Sequence, residues 1–244
     1  MSLLAALQFL TRVPIRLRRE PSLSKTVAWF PVAGALIGAA VGGVAAGMWH
    51  ITSPLVAAAV AVTIGLLITG AFHEDGLGDV ADAFGGGWTV ERRLEILKDS
   101  RHGTYGVAAI CASIVLRIIS LGAMPGPLDM FTAAIAAHTM ARVAALGMAG
   151  SMQLASNTGL GADYGRSTSP LRATIGCIAG LAITVLVVGW WAAPLAGAAL
   201  VAATATGLLA RRKIGGISGD VLGAAEQVAE CLCLVVLSAL ALHF

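Results

Sequence analysis

Asp75, Asp79 and Asp82 follow one another at i, i+4 and i+7, a spacing that stacks three carboxylates on one face of a helix. Carboxylates held so close repel one another. Protonation relieves the repulsion, and so does a hard divalent cation, Mg²⁺ or Mn²⁺, which takes oxygen ligands. A solvated helix end with capping acids accounts for one or two of these residues, but not for three on one stripe beside a bilayer. The spacing therefore points to a metal site at Asp75, Asp79 and Asp82 and to metal-assisted chemistry on a phosphate substrate. Glu74 projects about 100° away from Asp75 on such a helix and is a weaker candidate. His73 is expected as an interfacial hydrogen-bonder. Gly85-Gly86-Gly87 ends the helix and lets backbone approach a ligand.

Two further stretches carry chemistry. Lys98-Asp99-Ser100-Arg101-His102-Gly103-Thr104-Tyr105-Gly106 sets two cations, small hydroxyls and two glycines just before an apolar run. Such a set suits a phosphate held by Lys98, Arg101 and backbone N–H groups near Gly103; a basic anchor at the membrane surface is the plainer alternative. In Gly215-Gly216-Ile217-Ser218-Gly219-Asp220-Val221-Leu222-Gly223, Asp220 opens the last apolar run, and Glu226 and Glu230 follow inside it. Asp220 alone would pass as an N-cap. Two acids one turn apart in an apolar helix need partners.

The elements that position these residues are membrane helices. Of 244 residues, 57% are hydrophobic and 12% charged, against about a quarter charged in soluble domains, and the mean hydropathy is +0.85. The composition predicts an all-α, polytopic bundle forming a single domain over residues 1–244, with membrane lipid as its surroundings and no nucleic acid as partner. Apolar runs at 30–51, 54–72, 106–124, 130–149, 172–192, 194–210 and 221–242 give about seven spans, or six if the short run 194–210 does not fully cross. The apolar stretch Ser2–Leu10 is too short to span and is expected as an interfacial or re-entrant helix; no signal peptide is expected. Gly34, Gly38 and Gly42 suit close packing of the first span. The four cysteines fall in apolar segments and read as small buried hydrophobes.

Lys and Arg set the expected topology. Five lie in residues 12–25, four in 92–101, two at Arg166 and Arg172, and three at 211–213, whereas the turns near 50–54, 124–129 and 192–194 have none. The alternation places the N-terminus and the loops near 73–104, 150–171 and 211–220 in the cytoplasm, and the C-terminus outside. Arg117 and Arg142 remain, both inside spans, where a charge costs roughly 2.5–3.5 kcal/mol and faces the bundle interior. Each is either a buried ion-pair partner or a binder of anionic substrate, with Arg142 the stronger phosphate candidate.

These stretches together resemble the cobalamin 5'-phosphate synthase (adenosylcobinamide-GDP ribazoletransferase) family. The resemblance rests on Phe9-Leu10-Thr11-Arg12-Val13-Pro14, Phe30-Pro31-Val32-Ala33-Gly34, Phe72 through Asp82, Lys98 through Gly106, and Gly215-Gly216 with Gly219 through Ala224, in order over nearly the whole chain. Gly78 and His102 stand where Ala and a small aliphatic residue would be expected. The resemblance implies a Mg²⁺-dependent enzyme of the bacterial cytoplasmic (inner) membrane, Mn²⁺ being an alternative ion. It would join α-ribazole or its 5'-phosphate to adenosylcobinamide-GDP and release GMP. For that reaction the residues lead to the expectation that the ribazole 5'-oxygen attacks the cobinamide-side phosphorus, with Asp82 or Asp220 as proton acceptor. Homo-oligomers are compatible with it. The rivals are a CDP-alcohol phosphotransferase, whose motif needs a later G-x-x-x-D-x-x-x-D that residues 83–104 lack, and a transporter. Against the transporter stand the absence of a visible inverted repeat and polar residues gathered at one side.

Overall fold

The computed structural model describes residues 2–17, 22–99, 101–155 and 168–241. Arg18, Arg19 and Arg166 of the basic segments, and the chain end His243-Phe244, lie outside the described residues. The elements are α1 (Ser2–Leu10), α2 (Leu23–Thr26), a 3-10 turn (Val27–Trp29), α3 (Phe30–Trp49), α4 (Pro54–Thr69), α5 (Phe72–Gly86), α6 (Val90–Ile96), α7 (Thr104–Gly122), α8 (Pro127–Ser151), α9 (Pro170–Val188), a second 3-10 turn (Gly189–Trp191), α10 (Ala192–Ile214) and α11 (Gly219–Ala241). The only extended pairing among the described residues is an isolated parallel bridge between Leu154 and Ile217, which ties the loop after α8 to the loop before α11.

α8 is the hub, packed by α3, α9, α10 and α11. Its Ala133, Ala134, Ala136, Ala137, Ala141 and Ala144 are all buried. Lipid tails are as apolar as leucine, so helices gain little from hydrophobic burial and depend on close backbone approach. Gly34, Gly38 and Gly42 supply it as expected: a Cβ there would meet the α8 carbonyl oxygens of His138 and Ala134 at 2.6 Å and of Phe131 at 2.7 Å. Large apolar side chains point outward instead, among them Val107, Val115 and Ile119 of α7 and Leu171, Ile178 and Leu186 of α9. The chain is an integral membrane protein.

Five helical stretches among the described residues are long and apolar enough to cross a membrane, and α4 with α5 makes a sixth if the pair is counted across its 89° bend. The expectation of about seven differs at Pro170–Ile214, which is one stretch of 45 residues by continuity. Straight, it would reach roughly 70 Å, over twice the hydrocarbon thickness. It is not straight. A Cβ on Gly150 would overlap Ala173, and one on Gly207 would meet Met148 Sδ at 3.0 Å, so both ends of the stretch lie beside the same end of α8. α9 and α10 therefore run out and back, turning at Gly189 with its φ of 61°.

The second break positions the site. Gly70 and Ala71 have φ of 67° and 54°, two consecutive left-handed residues that stop α4 and swing α5 away from it. The short α1 sits on this elbow, where Phe9 stacks on Phe30 with centroids 5.5 Å apart and meets Phe72 edge-on at 5.4 Å. α5 then crosses the N-terminal ends of α7 and α11: a Cβ on Gly76 would meet the Asp220 carbonyl oxygen at 2.9 Å, and one on Gly85 would meet the Tyr105 ring at 2.9 Å.

Candidate active site

α5 carries all three aspartates of the i, i+4, i+7 stripe, and the structure gives them different surroundings. The Asp75 side chain is 66% exposed and that of Asp79 only 12%. His102 lies between them, its Nε2 3.2 Å from Asp75 Oδ1 and its Nδ1 3.5 Å from Asp79 Oδ1. One donor atom from each of the three residues falls within 4.8 Å of the others, close enough to share a cation. Asp220, at the start of α11, interacts electrostatically with both aspartates.

Asp82 is buried and faces α7. Its Oδ2 accepts from Gly103 N at 2.6 Å and its Oδ1 from Gly106 N at 2.9 Å, so both oxygens cap the first turn of a long helix, where a negative charge also suits the helix dipole. A Cβ on Gly106 would overlap this carboxylate. The expected cradle at Gly103 is thus already filled by Asp82.

The expected phosphate binders separate. Lys98 is exposed. Arg101 is exposed and closes on Asp99, with Nε 2.9 Å from Oδ1 and an Nη 2.8 Å from Oδ2; these bonds and the Arg101 backbone N–H hold the Asp99 carboxyl down to about 2. Arg142 is buried beneath the site. It contacts Glu226 directly and lies 3.4 Å from Glu230 Oε2. Arg117 joins the same cluster, 2.8 Å from Glu74 Oε1 and 3.2 Å from Glu230 Oε1. His73 and His138 flank it at 3.5 Å from Glu226 and 3.7 Å from Glu230. A cavity of about 20 Å³ within the cluster has room for about one water. Of the two readings for Arg142, the geometry favours the ion pair.

A second opening bears on substrate. A cleft of about 610 Å³ lies at the elbow, with Gln8, Thr11, Arg12, Asp75, His102 and Ile110 in its wall, within the size range of small-molecule sites. Arg12 and His102 are the functional candidates that sequence reasoning passed over. Arg12 is one of the five basic residues of the 12–25 segment and belongs to Phe9-Leu10-Thr11-Arg12, a stretch that carries the family resemblance. Its backbone N–H donates to Ile68 O at 2.7 Å, and a Cβ on Gly70 would overlap its guanidinium. His102 and Gly78, the two departures noted in sequence, touch: a Cβ on Gly78 would lie 3.0 Å from the imidazole.

The chain matches the family model for cobalamin-5-phosphate synthase over residues 2–238. It is 39% identical over 255 residues to the adenosylcobinamide-GDP ribazoletransferase of Ralstonia nicotianae, with 98% of this chain and 95% of the relative covered. It is 35% identical over 246 residues to the enzyme of that name from Shewanella piezotolerans, covering 96% and 93%. With the one from Bradyrhizobium diazoefficiens it shares 38% identity over 249 residues, covering 96% and 92%. No solved structure matches the chain.

Proposed function

The chain belongs to the cobalamin-5-phosphate synthase family, and from that membership we infer that it is an adenosylcobinamide-GDP ribazoletransferase. It transfers the phospho-cobinamide group of adenosylcobinamide-GDP to α-ribazole or α-ribazole 5'-phosphate, releasing GMP, in the final assembly of the cobalamin nucleotide loop. The observation that carries the site is the placement of Asp75 in the wall of the elbow cleft, with Asp79 beside it and Arg12 in the same wall.

Asp75 and Asp79 would hold a divalent cation, Mg²⁺ or Mn²⁺; the nearby His102 Nδ1, shielded from solvent and without a hydrogen bond, fits a cation in that place. When bound, the cation neutralises charge on the pyrophosphate as GMP leaves. The chain's own groups do the rest. Arg12, in the same cleft, pairs with the pyrophosphate oxygens. Lys98 reaches the departing phosphate from the surface, and Arg101 does so by exchanging Asp99 for it. Asp82 holds the start of α7 against α5 and so fixes the residues around Gly103. Asp220, at the start of α11 and within electrostatic reach of Asp75 and Asp79, takes the proton of the attacking hydroxyl. That hydroxyl is not the 5'-oxygen: in α-ribazole 5'-phosphate this oxygen is already esterified, so a free ribose hydroxyl must attack the cobinamide-side phosphorus. The cleft holds the reacting end of the substrate, and a corrin ring is too large to enter with the nucleotide.

The enzyme sits in the bacterial cytoplasmic membrane with the site facing the cytoplasm, as the distribution of Lys and Arg supports. The test is GMP release by purified protein given adenosylcobinamide-GDP, α-ribazole 5'-phosphate and Mg²⁺. Asp75→Asn and Asp79→Asn keep shape, remove a ligand charge and are expected to abolish turnover in protein that still inserts. Chelator silences the wild type and Mg²⁺ or Mn²⁺ restores it. Full activity in chelator overturns the metal reading.

A further inference from the structure

Asp75 and Asp79 have a neighbour that an all-oxygen magnesium site does not need. His102 Nδ1 is shielded from solvent and makes no hydrogen bond, although it lies 3.5 Å from Asp79 Oδ1. The other ring nitrogen, Nε2, lies 3.2 Å from Asp75 Oδ1. Nδ1, without a hydrogen bond, is thus a ring nitrogen beside the Asp79 carboxylate that can take a cation, and one donor atom each from Asp75, Asp79 and His102 lies within 4.8 Å of the others. The ring is also built in. A Cβ at position 78 would meet Cε1 and Nδ1 at 3.0 Å and Ile110 Cδ1 at 2.8 Å, so glycine leaves the space the imidazole fills. The backbone of the next residue, Gly103, is pinned by Asp82. Ring position is therefore set from both sides.

We propose that His102, admitted by Gly78, is a nitrogen ligand of the cation held at Asp75 and Asp79. The proposal rests on the metal reading of the active site. Imidazole binds Mn²⁺ and later transition metals better than it binds Mg²⁺, which prefers oxygen. The site of this chain is accordingly biased toward Mn²⁺ beyond what an aspartate stripe alone would give.

The test uses the purified full chain in detergent, titrated with Mn²⁺ and followed by electron paramagnetic resonance, with Mg²⁺ affinity read by competition. Bound Mn²⁺ is expected to show ¹⁴N modulation in the pulsed spectrum, and His102→Ala to remove it. The same change should weaken Mn²⁺ binding by about tenfold or more and Mg²⁺ binding less. Gly78→Ala should reproduce these losses by displacing the ring, and adding Gly78→Ala to His102→Ala should cost nothing further. Because His102→Ala removes bulk without adding any, its readout stands even if Gly78→Ala fails to fold. Mn²⁺ bound through Asp75 and Asp79 without ¹⁴N coupling, or unaffected by His102→Ala, overturns the proposal and leaves the aspartate site intact. A wild type that binds no Mn²⁺ overturns both.

Discussion

Arginine inside a span is costly unless a partner offsets it, and Arg142 has its partners in Glu226 and Glu230. Arg142→Met leaves a buried carboxylate unpaired and is expected to cost about 3–5 kcal/mol, seen as a lower melting temperature in detergent. Glu226→Gln in the same chain should recover much of the loss. Normal melting with lost GMP release, unrescued by either acid substitution, would instead assign the guanidinium to substrate. Asp82 separates from its stripe by the same kind of comparison. As the cap of α7 it should lose roughly 0.5–2 kcal/mol on Asp82→Ala, whereas Asp75→Asn and Asp79→Asn should leave melting unchanged or raise it, because each removes like-charge repulsion. An equal melting loss for all three would contradict the division. The sequence made the stripe legible, since helical spacing is local. It could not show that Asp82 is taken by Gly103 and Gly106, more than twenty residues on, because that bond depends on how α5 crosses α7. The charge cluster was half legible: Arg117, Arg142, Glu226 and Glu230 stand out as charges in apolar runs, but Glu74 reads only as a weaker metal-ligand candidate, and nothing local in the sequence pairs it with Arg117.

At the scale of elements, small residues decide how near two backbones come. The α3 glycines were legible because a four-residue repeat of glycine in an apolar run has few other uses. Gly38→Val should separate α3 from α8 and lower melting, with Gly43→Val as the control, since a Cβ there meets nothing within 4 Å. The elbow was not legible: residues 54–72 are apolar throughout, and no proline marks the bend at Gly70-Ala71. Ala71 holds a left-handed conformation at a cost of roughly 1–2 kcal/mol, offset by α1 packing on the elbow. Ala71→Gly is expected to leave stability unchanged or raise it by up to about 1 kcal/mol, the strain relief opposing the extra freedom of the unfolded chain. Gly70→Ala adds the same strain and drives a methyl into Arg12, so both melting and the affinity for adenosylcobinamide-GDP should fall. Gly70→Ala with unchanged KM would remove Arg12 from the substrate site.

The whole molecule has two unlike ends. At one, Arg93 donates to Gly87 O and Lys213 O at 2.9 and 3.0 Å, and Lys213 Nζ donates to Phe84 O at 3.2 Å, so the 87–93 and 211–213 basic segments meet beside α5 and its aspartates. At the other, a Cβ on Gly122 would meet Leu55 Cα at 3.1 Å, which sets the 50–54 and 123–126 turns side by side, and neither carries Lys or Arg. On the proposed orientation, with positive charge retained on the cytoplasmic side, the aspartates would face inward, where nucleotides and divalent cations are found. α11 starts beside α5, at Asp220, and runs 23 residues away from that end, enough to cross about 30 Å of hydrocarbon. Ala241, the last described residue of α11, therefore lies at the opposite end of the molecule from the aspartates. A reporter fused after Phe244 should behave as extracytoplasmic, and one inserted between Thr89 and Val90 as cytoplasmic. If α11 crosses, the two readouts differ whichever way the molecule faces, because they report on opposite ends of it. Matching readouts would mean that α11 does not cross, while an exchange of the two would reverse the orientation and expose the aspartate site to the outside.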